Sequence, residues 1–176
     1  MSRSGGGGAP VTPYLTGISS IESHMCRDVS AIAANVAYTW DVSEKIIRPI
    51  VITNIRVRYG TSAGNLDVGV YRDNGDGTGT LLGSAGSTVA VYDAGLGRQT
   101  FTLTAKVSVT PGMRIRLAVA GNNTGCTLSG LATSSTTGAD IIDDIANEIA
   151  SSFPLPATIT WGATPCSKMY HVRARP

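Results

Sequence analysis

Three stretches of this chain alternate apolar with polar or small residues at a period of two: Ile55-Arg56-Val57-Arg58-Tyr59, Leu66-Asp67-Val68-Gly69-Val70 and Met113-Arg114-Ile115-Arg116-Leu117-Ala118-Val119. Successive side chains of a strand point to opposite faces. The spacing therefore puts Ile55, Val57 and Tyr59, or Met113, Ile115, Leu117 and Val119, on one buried surface with the arginines between them facing out. A helix would spread that stripe around its circumference. Antiparallel strands with one wet face fit the pattern, and residues 49–121 are organised around them.

Punctuation between the strands agrees. Asp73-Asn74-Gly75-Asp76-Gly77-Thr78-Gly79 joins Asn-Gly to Asp-Gly, which supply the positive φ that tight hairpins need. Gly60 to Asn65 reads as a loop, Pro49 as a strand entrance and Thr110-Pro111-Gly112 as a turn. Further strands are predicted from Val36 to Val42, from Ser87 to Tyr92 with Val89 and Val91 on one face, and through Phe101, Leu103 and Val107 to Val109. Thr124 to Leu131 reads as another. Ala157 to Trp161 and Met169 to Val172 read as closing strands. The expected fold class is all-β, an antiparallel sandwich of jelly-roll type.

Two segments depart from the period of two. Ile18, Ile21, Met25, Val29, Ile32 and Val36 recur at helical spacing but run into a strand, which leaves residues 18–35 open. Ile141, Ile142, Ile145 and Ile149 fall on one side of a short helix, with Asp143, Asp144 and Glu148 on the other, and such a helix would either cap the sandwich or meet a partner. Residues 1–17, with four consecutive glycines and then Ala9-Pro10-Val11-Thr12-Pro13, read as a flexible arm, and residues 18–176 as one domain. A chain of 176 residues buries enough surface for a single core without staples.

Charge and cysteine content narrow the function. The formal net charge is +2, and eleven of the fourteen cations are arginine, Lys45, Lys106 and Lys168 being the exceptions. That balance favours solvated strand faces over a nucleic-acid site. Cys26, Cys126 and Cys166 include no CxxC pair, so thiols in a reducing compartment are expected. Met1-Ser2-Arg3-Ser4 leads into glycine with no apolar run, so neither a secretory signal nor a membrane span is expected.

The candidates for chemistry are few. Asp73, Asn74 and Asp76 gather oxygen ligands, but a calcium loop wants glutamate at its twelfth position, where this chain has Ser84. His24 with Cys26 and Cys166 with His171 lack the spacing of structural zinc, and neither histidine lies near a nucleophile elbow. Asp140, Asp143 and Asp144, as neighbours on a short helix, splay apart and do not make an acid–base pair. No catalytic, cofactor or metal residue is assigned, and no enzyme is expected. Tyr38, Trp40, Tyr59, Tyr71, Tyr92 and Trp161 would make a sugar-stacking platform only if several shared an exposed face. Most are in phase with aliphatic neighbours, which makes them core.

The run Val36-Ala37-Tyr38 with Val42, then Ile52 to Val57, then Leu66-Asp67-Val68-Gly69-Val70-Tyr71-Arg72-Asp73-Asn74-Gly75-Asp76-Gly77, then Val109 to Ala118, resembles a β-sandwich module that recurs in structural proteins of tailed-bacteriophage particles. The resemblance covers residues 36–121 and extends to Leu155-Pro156-Ala157-Thr158. A Tyr-Trp pair follows the Pro-Gly turn in that module, where this chain has Arg114-Ile115-Arg116. The resemblance implies a non-enzymatic virion protein, made in the host cytoplasm, that decorates the capsid or attaches to it through its arm and oligomer contacts. Implied partners are the major capsid protein or tail and fibre proteins, with the chain itself a homo-oligomer, a trimer by analogy. The alternative is a receptor- or carbohydrate-binding module of a tail fibre or spike that meets host-surface glycan.

Overall fold

The computed structural model describes residues 15–16, 28–42, 46–91, 97–132, 146–150, 153–162, 168–170 and 172–175. In chain order the strands are β1 (Leu15–Thr16), β2 (Asp28–Ala31), β3 (Val36–Asp41), β4 (Ile50–Thr61), β5 (Asn65–Asp73), β6 (Thr78–Ser84) and β7 (Thr88–Val89). They continue with β8 (Arg98–Val109), β9 (Ile115–Gly121), β10 (Thr127–Ala132), β11 (Ala146–Ala150), β12 (Thr158–Thr160), β13 (Lys168–Tyr170) and β14 (Val172–Arg175). The ladders between them are antiparallel, and the architecture is an all-β sandwich. The first sheet is built on β4, which pairs with β8, β14 and β10; β1 extends it from β14, and β2 and β13 from β10. The second sheet runs β11-β3-β9-β5-β6-β12, with β7 at the start of β5.

The core lies between the sheets, where the period of two predicts it. Ile52, Ile55, Val57, Tyr59, Phe101, Leu128 and Val172 come from the first sheet, and Tyr38, Trp40, Val68, Val70, Ile115, Leu117 and Val119 from the second. Ile52 and Ile55 are an odd number of residues apart and both buried, because the β4–β8 register shifts between Ile52 and Asn54. The shift gives β8 the surplus residues, and these reach across to the second sheet. There Thr104 Oγ1 donates to the Ser84 carbonyl at 2.8 Å, closing one side of the sandwich.

Strands β3, β5 and β9 are buried on both faces. Their outward residues are mostly small or tightly held: Ala37, Gly69, Tyr71, Ala118 and Ala120. A second apolar cluster forms over them with Ile149, Leu155 and Ile159, against which Phe153 and Trp161 pack. A strand buried on both faces reads as a near-continuous apolar run, which is how Ile115 to Gly121 reads.

Three expectations need correction. Ala146–Ala150, the described part of the predicted helix, is the strand β11, with Ile149 opposite Ala37 of β3. The free edge of β3 offers a ladder, and pairing there buries Ile149 without the helical stripe. The remainder of that prediction, residues 141–145, lies outside the described residues. The strand predicted from Ser87 to Tyr92 is confined, among the described residues, to Thr88–Val89; Val89 and Val91 share one face as predicted, an exposed one, while Ala90 is buried between them. Gln99 explains the orientation, since its Nε2 donates to the Val89 carbonyl and its Oε1 accepts from the Val91 N–H, fixing the segment by its backbone. At the amino end, Leu15–Thr16, inside the span given to the arm, pairs with β14. In the open region 18–35, Asp28–Ala31 pairs with β10 and residues 18–27 lie outside the described residues.

Candidate functional site

The hairpin between β5 and β6 forms where Asn-Gly and Asp-Gly predict it, with φ of 80° at Gly75 and 83° at Gly77. Its acidic oxygens are engaged within the turn. Asp73 Oδ1 accepts from the Gly75 N–H at 2.9 Å, and Asp76 Oδ1 accepts from the Thr78 N–H at 2.9 Å and its hydroxyl at 2.6 Å. Asp73 Oδ2 lies 3.3 Å from Arg114 Nη2 and 3.4 Å from Arg116 Nη2. Burial alone would raise the Asp73 carboxyl, but the Gly75 N–H and the two guanidiniums outweigh it and hold it below the usual range. Thr78 lowers the exposed Asp76 likewise. Among the described residues no three His, Cys, Asp or Glu side chains gather to hold a metal ion.

Arg116 links this hairpin to the cover of the second sheet. Its guanidinium carbon lies 4.5 Å from the centre of the Trp161 ring, which meets Tyr71 edge-on at 5.9 Å between centroids. Trp161 lies directly over Gly79, where any side chain would collide with the indole. Backbone contacts fix the covering segment: the Trp161 N–H donates to the Gly77 carbonyl, the Leu81 N–H to the Ala157 carbonyl, and the Tyr71 hydroxyl to the Pro156 carbonyl at 2.6 Å. Beneath it Asp67, also buried, accepts the Leu155 N–H at 2.9 Å. Burial pushes the Asp67 carboxyl above its ordinary value, and this hydrogen bond offsets only part of the effect.

Of the aromatic residues considered as a sugar platform, Tyr38, Trp40, Tyr59 and Tyr71 are buried. Tyr92 lies outside the described residues, as do His24, Cys26, Cys166, His171, Asp140, Asp143 and Asp144. Cys126 is a free, buried thiol raised by desolvation.

Sequence reading placed single arginines outward but missed that three strands bring them together. On the outer face of the first sheet Arg58 of β4 stands opposite Arg98 of β8, and Arg56 lies between Thr100 of β8 and Arg173 of β14. The next rung joins Thr102, Asn54 and Arg175. The strands of this sheet hold seven cations and one acid, Asp28, a formal +6. Those of the second hold Arg72 and Arg116 against Asp41, Asp67, Asp73 and Glu148, a formal −2. The small net charge of the chain conceals this division. The signal was present in the R-x-R spacing of residues 56–58 and 173–175 and in the absence of acids from 98–109, but it needed the strand order to be seen. The chain matches no family model and no curated protein.

Proposed function

We propose that this chain is a non-enzymatic structural protein of a tailed-bacteriophage particle, an accessory β-sandwich that decorates the capsid or attaches to it and acts by contact. The observation that carries the reading is the use made of its reactive and aromatic side chains. Asp73 is clamped by two arginines, Asp67 holds the cover of the second sheet, and four of the six aromatics considered for stacking are internal. These groups secure a rigid block, and the polar surface that the block presents belongs to the first sheet.

Two of the segments that carry the resemblance are neighbours in one sheet. β5, which leads into the hairpin, pairs with β9 from Leu66↔Gly121 to Arg72↔Ile115, and Asp73 reaches the arginines that stand in place of the Tyr-Trp pair. The departure from the module's pattern is thus matched within the same pair of strands.

The test is composition and position. Mass spectrometry of purified particles of the phage or prophage that encodes the chain should find it in many copies. Light scattering should find the isolated protein as a homo-oligomer, a trimer by analogy. Deletion of residues 1–13 should leave a folded domain that no longer joins the particle. Particles that lack the protein would overturn the reading.

A further inference from the structure

We infer that Asn74 is a conditional deamidation site: its bond to Gly75 is the most reactive in the chain toward cyclisation, and the Asp73 clamp holds it unreacted until the β5–β6 turn opens.

Among the residues that can follow an asparagine, glycine offers the least hindered nitrogen, and Asn74-Gly75 is the one Asn-Gly pair in the sequence. Both residues are exposed, and a Cβ placed on Gly75 would meet nothing within 4 Å, so solvent reaches the bond. In the reaction the Gly75 nitrogen gives up its proton and attacks Asn74 Cγ. The new C–N bond closes a succinimide, and the side-chain nitrogen leaves as ammonia, taking up the proton that Gly75 lost. Water then opens either carbonyl of the ring, leaving aspartate or isoaspartate.

Asp76-Gly77, the one Asp-Gly pair, is the natural comparison. A carboxyl cyclises from its neutral form, which can lose water. The Thr78 hydroxyl and N–H hold the Asp76 carboxyl below its usual range, so it is ionised at neutral pH and inert. A side-chain amide has no ionised form to retreat to, which leaves Asn74 as the reactive position.

The folded turn obstructs each step there. The Gly75 N–H donates to Asp73 Oδ1 at 2.9 Å, so loss of its proton would set a second anion against a carboxylate. That carboxylate is held in place, because Arg114 and Arg116 take its other oxygen and the Asp73 N–H donates to the Arg114 carbonyl. Cyclisation also turns the Asn74 amide over the Gly75 nitrogen. In the fold its Nδ2 donates to the Thr78 and Thr80 hydroxyls at 2.9 and 3.1 Å, and its own N–H to the Thr78 carbonyl. Reaction therefore proceeds from the opened turn, at a rate set by how much of it is open. The change is one-way. An acid at position 74 loses both donated bonds and adds a third carboxylate beside Asp73 and Asp76, while isoaspartate adds a carbon to the backbone of the turn.

The full chain is warmed at neutral pH with and without urea, and deamidation at each asparagine is read by peptide mass mapping, with isoaspartate counted by methyltransferase labelling. Asn74 should react first among the asparagines of the unfolded chain, and at least about tenfold more slowly in the folded one. Arg114→Gln, at an exposed side chain, and Thr80→Val should each speed the folded reaction about threefold or more and leave the rate in urea unchanged. Circular dichroism checks both variants, and either one suffices if the other misfolds. Asn74→Asp, which supplies one of the two products, should lower the urea midpoint. A folded rate equal to the unfolded rate would overturn the proposal, as would earlier reaction at another asparagine in urea. So would folded variants that react no faster than the wild type, or an Asn74→Asp midpoint equal to that of the wild type.

Discussion

The two sheets share one core and differ in what lies behind them. Behind the second sheet the outward residues of β3, β5 and β9 are alanine, glycine and a few engaged polar groups, and the segment 153–161 lies down on them. Behind the first they are arginine and threonine, of which Arg58, Arg98, Thr100 and Thr102 are exposed and Arg56, Arg173 and Arg175 half-buried. Small residues let backbone approach and bury apolar cover. Guanidiniums resist such cover, because desolvating a charge without a partner costs more than the apolar contact gains. The same fold thus covers one face with apolar chain and leaves charged, partly exposed residues on the other, and substitutions on the two faces should behave differently.

The largest effect is expected where the cover is pinned. Trp161→Ala removes the ring that packs on Tyr71, Arg116 and Gly79 and should cost about 2 to 3 kcal/mol, the lower end for loss of a large aromatic, since Trp161 is only half-buried. Gly79→Ala lifts the same ring. The double variant should therefore cost less than the two singles together, as measured by urea denaturation. Additive costs would mean that Trp161 and Gly79 stabilise the fold independently.

Next come the two acids of this face, which should diverge with pH. Asp73 is held low in the folded state, so its contribution is present above the unfolded carboxylate value and lost as pH falls through the folded value. Asp73→Asn should cost about 1 to 2 kcal/mol near neutral pH, with the deficit shrinking as the solution is acidified. Asp67 is raised, so its ionisation works against folding once pH climbs through the unfolded value and on to the folded one. The difference in stability between Asp67→Asn and the wild type should therefore shift in favour of the variant as pH rises. Urea melts from about pH 3 to about pH 7 give both slopes. Slopes of the same sign would break the distinction between the clamped and the buried carboxyl.

How legible all this is from sequence follows from what each signal requires. The core of β4, β5 and β9 is local: alternation in Ile55 to Tyr59 or Met113 to Val119 states which residues go in. The Asp73 hairpin is local too, because Asn-Gly and Asp-Gly carry their own backbone geometry. What escapes is set by neighbours in space. Ile149 has the spacing of a helix but lies beside the free edge of β3, and edge pairing prevailed over periodicity. Val89 and Val91 share a face as their period states, but which side it turns to is fixed by Gln99, eight or ten residues along the chain. The arginine face needs β14, near the carboxyl end, placed beside β4. No window of residues contains that information.

The smallest effect on stability is expected on that arginine face, and for this reason it is the sharpest test of the contrast. If Arg56, Arg58 and Arg173 served the fold, their removal would cost as much as loss of the Asp73 clamp. Standing in like-charge register, they should be nearly silent. Arg56→Gln gives up, among its interactions, a long bond to the Thr100 hydroxyl, 3.4 Å, and relieves repulsion from Arg173, so the change should stay within about 0.5 kcal/mol in either direction. Arg173→Gln should do the same and, if anything, raise the melting temperature at low salt, with the gain fading as salt screens the pair. Thermal melts of both variants across a salt series measure this directly. A loss of about 2 kcal/mol or more would show that the first sheet, like the second, uses its outward polar groups to hold itself together, and the difference between the faces would disappear.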